Sequence, residues 1–204
     1  MSSKITNLKE KFKIALTSTA KVISDDFDLN QKTSEDKKIK KFNTIEIEDL
    51  TNPSDFIRLR AETDSAALKK KFSNEGIYKK NLPANTSSRS LYNIAEKIRY
   101  ESLGGKMLKG IEKNFQENYT QIINRKRKNQ LKTKEDVPVT EAFELYMLKN
   151  FHEIELNPLT TKILNFWEHD FEQSVGKHKK FLQDNLEDQN NYSSRFSQIL
   201  EEMD

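Results

Sequence analysis

The chain has 204 residues with a net charge of +3; only 34% are hydrophobic and 33% are charged, yet 12 Phe, 6 Tyr and one Trp are too many aromatics for a purely disordered chain. The absence of Cys excludes disulfides and thiolate metal sites, and no apolar run reaches bilayer length or makes a signal-peptide core, so a cytoplasmic protein with no membrane partner is expected. Charge is uneven: residues 56–132 carry eighteen basic against seven acidic side chains and residues 133–204 seven against fifteen, so either the two halves complement each other within one fold, or the chain draws an acidic partner at one place and a basic one at another.

In chain order, Leu8, Phe12, Ala15, Leu16, Thr19 and Val22 fall three and four apart and predict a helix over Asn7–Ile23. Phe27-Asp28-Leu29 and the alternating Thr44-Ile45-Glu46-Ile47-Glu48 suggest a small β-hairpin within residues 27–48, with 31–43 as a mobile charged loop. Asn52-Pro53-Ser54 marks a turn, with Ser54 placed to cap a helix over Asp55–Ser73 that Asn74-Glu75-Gly76 stops. Thr86-Ser87-Ser88 offers caps for the longest helical stretch, Arg89–Asn129, whose apolar period Gly104-Gly105 interrupts as a kink or a close helix approach. Pro138 opens the next helix, to Phe151. Asn157-Pro158 opens another, and Tyr192, Phe196, Ile199, Leu200 and Met203 make a last short one. The sum is an all-α, elongated multi-helix domain over residues 1–204 with that one hairpin.

Signatures of chemistry are sparse. The sequence holds no phosphate-cradling Gly loop, no paired-glycine fingerprint, no nucleophile elbow and no His-Glu-x-x-His. His152, His169 and His178 are too far apart to share a helical face, and Glu168, His169 and Glu172 read more readily as a solvated face than as a metal site. The basic runs Arg125–Lys128 and Lys69–Lys71 admit a nucleic-acid reading, but the first also suits a helix C-terminus, and the solvated helix end is favoured. Trp167, between Phe166 and Phe171, reads as core, with an interface anchor as the minor alternative. Glu96, Arg99, Glu101 and Arg60 resemble an acid–base cluster, but charges three and four apart on a helix more often make surface ion pairs.

The stretch from Leu91 to Ile111 resembles a signature block of the cobaltochelatase T-subunit (CobT) family, with Arg99, Glu101, Gly104, Met107 and Gly110 at the matching positions. Phe12 to Leu16, Arg58 to Asp64 (with Arg60) followed by Ala67-Leu68, Asn165-Phe166-Trp167, and Leu186 to Gln189 with Tyr192 and Phe196 are similar to further family segments in collinear order. The resemblance implies the N-terminal helical region of a subunit of the complex that inserts cobalt into a corrin ring during cobalamin synthesis. In that complex ATP, magnesium and cobalt are used with an AAA+ ATPase subunit and a large corrin-binding subunit. Family proteins continue into an acidic linker and a von Willebrand A-type domain bearing Asp-x-Ser-x-Ser. Asp64-Ser65-Ala66-Ala67 does not satisfy that pattern, so the chain is expected to be a fragment, a split-gene product or a degenerate relative. No catalytic, cofactor-binding or metal-binding residue carries over. A non-catalytic scaffold domain is the expectation, with a basic helical nucleic-acid- or protein-binding domain unrelated to cobalamin as the alternative.

Overall fold

The structure is a computed structural model that describes residues 2–28, 52–125 and 133–203. Ten α-helices and no strand occur among the described residues, as the all-α expectation requires. The suggested hairpin and the loop over 31–43 lie almost wholly outside them; Phe27 and Asp28 are in a turn. The chain forms two compact units, Met1–Lys71 and Phe72–Asp204.

The first unit holds α1 (Ser2–Ser24) and most of α2 (Pro53–Phe72). Phe12 meets Phe56 at 4.8 Å between ring centroids, and Asp25 and Asp26 pair with Lys71 and Lys70. The inward face of α1 differs from the sequence expectation. Ala20 and Ile23 are buried, whereas Leu8 and Val22 are more than half exposed. Phe12, Leu16, Ala20 and Ile23 share the inward stripe, which keeps Phe12 and Leu16 of the expected one and turns away from Leu8 and Val22 toward the ring contact with α2. The cap of α2 is also displaced: Asn52 Oδ1 accepts from the Ser54 N–H at 3.2 Å, and Ser54 itself lies inside the helix.

In the second unit α3 (Glu75–Lys80) leads into the long α4 (Thr86–Met107), which lies against α5 (Lys109–Arg125), α6 (Val139–Phe151) and α10 (Gln189–Met203). The shorter α7 (Pro158–Asn165), α8 (Glu168–Ser174) and α9 (Lys179–Asp184) complete the bundle. Asparagine sets three of the entries. Asn74 accepts from the N–H groups of Gly76 and Ile77, Asn85 from Ser87, and Asn157 from Thr160 ahead of Pro158. Asn74 therefore opens α3 as well as following α2. The core is aromatic: Phe143 packs on Phe171 and Phe196 at 5.3 and 6.0 Å, and all three are fully buried.

The expected single run from Arg89 to Asn129 is two helices, and Gly104-Gly105 is not where it breaks. α4 passes through both glycines and ends at Met107; Leu108 is extended, at φ −143° and ψ 118°. The Leu108 N–H still donates to Gly104 O, and its carbonyl accepts from Ile111 and Glu112, which starts α5 directly. The apolar period continues across the elbow because α5 folds back and buries its own stripe, Ile111, Phe115, Tyr119 and Ile123, beside α4. A Cβ on Gly105 would meet the Glu112 Cβ at 3.5 Å, an ordinary contact, so this glycine sits where the two helices come together.

Candidate functional site

The residues singled out from the α4 segment divide into an inner and an outer set. Arg99 is wholly buried. Its Nη1 donates to Leu186 O at 2.9 Å, its Nη2 to Phe72 O at 2.7 Å, and its Nε lies 3.4 Å from the Glu96 carboxylate. Glu96, also buried, accepts from Ser193 Oγ at 2.6 Å and from Gln189 Nε2 at 3.1 Å, while Gln189 Oε1 accepts from the Asn74 N–H at 2.6 Å. One charged group thus ties α4 to the backbone of Phe72, the first residue of the second unit, to the segment before α10 and, through Glu96, to α10 itself. Surface ion pairing, the reading that helix spacing favours, does not hold here: Arg99, Glu96 and Glu101 are all interior.

Two residues past Arg99 on α4, about half a turn on, Glu101 faces the opposite partners. Tyr119 of α5 donates its phenol to Glu101 Oε2 at 2.5 Å, and His152 Nε2, at the end of α6, lies 3.8 Å from the same oxygen. His152 sits between the rings of Phe115 and Tyr119, and its Nε2 has no hydrogen-bond partner among the described residues. Burial, reinforced by the Lys97 ammonium, lowers the imidazole pKa to about 4, so the ring is neutral at ordinary pH. The Tyr119 phenol is pushed well above its usual range by burial and then by the Glu101 charge, so it stays protonated as the donor. Sequence spacing could not show this cluster, because its members come from three helices.

Of the remaining residues, Gly104 is buried within α4, and Arg60 stands half-buried on α2 in the first unit. Trp167 is half-buried; its indole N–H donates to Val137 O at 3.2 Å, Lys134 lies 4.1 Å over its ring, and Phe171 stacks at 6.2 Å. Met107 and Gly110 are exposed at the elbow. Among the described residues no group of three or more His, Asp or Glu side chains could hold a metal ion, and no helix is long and apolar enough to cross a membrane. Of the two basic runs, Lys126–Lys128 lies outside the described residues, and Lys70 and Lys71 are both ion-paired.

The collinear order of these elements can be set against known families, and the family model described as cobalamin biosynthesis protein CobT matches residues 6–204. The chain belongs to the CobT family. Its place is therefore in cobalamin biosynthesis, as the α4 signature implied. No curated protein and no solved structure matches it. Within this CobT-family chain, the signature positions Arg99 and Glu101 organise the bundle, and Met107 and Gly110 lie on its surface.

Proposed function

We propose that the chain is a non-catalytic assembly domain of the ATP-dependent cobaltochelatase that inserts cobalt into a corrin ring. In this reading it joins the AAA+ ATPase subunit and the large corrin-binding subunit, which handle ATP, magnesium, cobalt and the macrocycle. The observation that carries it is the use made of the α4 charges, the signature residues Arg99 and Glu101 and their neighbour Glu96. Glu96 is hydrogen-bonded by Ser193 and Gln189, Arg99 by two backbone carbonyls, and Glu101 by Tyr119. A carboxylate already satisfied by internal donors and out of water is a poor proton carrier for an outside substrate, whereas it fixes helices in place. Family membership supports the pathway, and the basic surplus over residues 56–132 supports an acidic partner surface.

The test is co-elution of the purified chain with the ATPase subunit at low salt, together with cobalt insertion by the assembled complex. The Glu101→Gln variant, if folded, retains insertion because the carboxylate serves packing alone. Loss of insertion by a Glu101→Gln protein with unchanged circular dichroism and unchanged co-elution would remove the non-catalytic reading.

A further inference from the structure

We propose that the elbow between α4 and α5 docks an acidic segment of a partner protein, whose backbone passes over Gly110 while one of its apolar side chains seats against Met107 and Leu108. This rests on the assembly reading and names the surface through which it acts. Met107 and Leu108 are adjacent and 40% and 48% exposed, two of the four exposed large apolar side chains among the described residues of the second unit. The elbow is not a loose loop. Leu108 N–H reaches Gly104 O at 3.0 Å, and its carbonyl takes the Ile111 and Glu112 N–H groups at 2.9 and 3.3 Å. The backbone is satisfied locally and holds the two side chains outward.

Gly110 separates this surface from an ordinary helix start. A Cβ there would meet no described residue within 4 Å, so internal packing gives no reason for a glycine in the first turn of α5. A bare backbone on an exposed turn lets another chain approach closely. The surrounding charge sets the partner's chemistry. Among the described residues Lys106 and Lys109 are exposed and have no anionic partner, Lys113 lies 3.7 Å from Glu117, and in the sequence Glu112 is the one acid between Lys106 and Lys113. An acidic peptide fits this pattern better than a lipid surface, because two apolar side chains make a small insertion patch and a membrane has no use for the glycine.

Fluorescence anisotropy of a labelled peptide of four Glu-Leu-Glu-Glu repeats, titrated at low salt with the full chain, tests the proposal. Binding is expected to weaken about tenfold or more in Leu108→Ser and in Lys106→Glu/Lys109→Glu, and to be unchanged in Phe181→Ser. Gly110→Ala is the decisive variant: its melting temperature should hold or rise while its affinity falls by about tenfold. No binding of the peptide by the unaltered chain overturns the proposal, as does equal affinity in the elbow variants. So does elbow-dependent binding of phosphatidylglycerol vesicles or duplex DNA in place of the peptide. Co-elution of the ATPase subunit with the unaltered chain and the elbow variants alike removes the elbow and leaves the assembly reading. Elbow-dependent peptide binding without any co-elution does the reverse.

Discussion

Replacing Arg99 by methionine keeps most of the side-chain volume and removes the guanidinium from a site with no water access. Two backbone carbonyls, Leu186 O and Phe72 O, then lose donors at 2.9 and 2.7 Å, and the Glu96 carboxylate loses its countercharge at 3.4 Å. An unsatisfied buried polar group costs about 1–3 kcal/mol, and breaking a buried ion pair from one side costs about 3–5 kcal/mol. The two figures describe overlapping losses, so a total of about 4 kcal/mol is expected, with the carbonyls carrying most of it because the Nε–carboxylate contact is long. Urea denaturation followed by circular dichroism reads this directly. At a slope of about 2 kcal/mol/M, the midpoint should fall by about 2 M. Glu96→Gln in the Arg99→Met background should recover part of the loss, because the uncompensated charge is gone. A midpoint shift in Arg99→Met worth less than about 1 kcal/mol would refute the view that this network holds α4 to its neighbours.

Three further outcomes follow from the same interior. The pKa of His152 is lowered to about 4 in the fold, so the unfolded chain binds more protons between that value and 6.5; stability is therefore full above the unfolded pKa and is lost as pH falls through the window, by on the order of 3 kcal/mol. Imidazole NMR should show no His152 titration above about pH 5, and a midpoint near 6.5 would contradict the burial argument. Tyr119→Phe should destabilise by about 2 kcal/mol in thermal or urea melts, because Glu101 loses a charge-assisted bond at 2.5 Å; an unchanged melting curve would show that the carboxylate finds other donors. Asn157→Ala removes the cap on Thr160 N–H and a donor to Ile123 O, and should cost about 1–2 kcal/mol, with a neutral result counting against the capping role.

The helical class, the Pro138 and Asn157-Pro158 helix starts and the family signature were all readable, because periodicity and capping chemistry are local. The break at Leu108 was not. The period runs through it, glycines are the stronger breakers by propensity, and only the fold-back of α5 makes an extended leucine favourable there. Arg99 and Glu96 were read as surface ions because helical charges default to solvent; the acceptors that make burial possible, Leu186 O and Phe72 O, are remote in sequence. His152 was treated as solitary for the same reason, since Glu101 and Tyr119 reach it from other helices. For α1, the stripe through Leu8 and Val22 was the denser apolar pattern, yet Ala20 and Ile23 are inside.

Cobalt insertion into a corrin by the purified ATPase and corrin-binding subunits, measured with and without this chain, is the most direct test of its role. An assembly domain predicts ATP-dependent insertion that requires the folded chain. Insertion at the same rate in its absence would contradict the account.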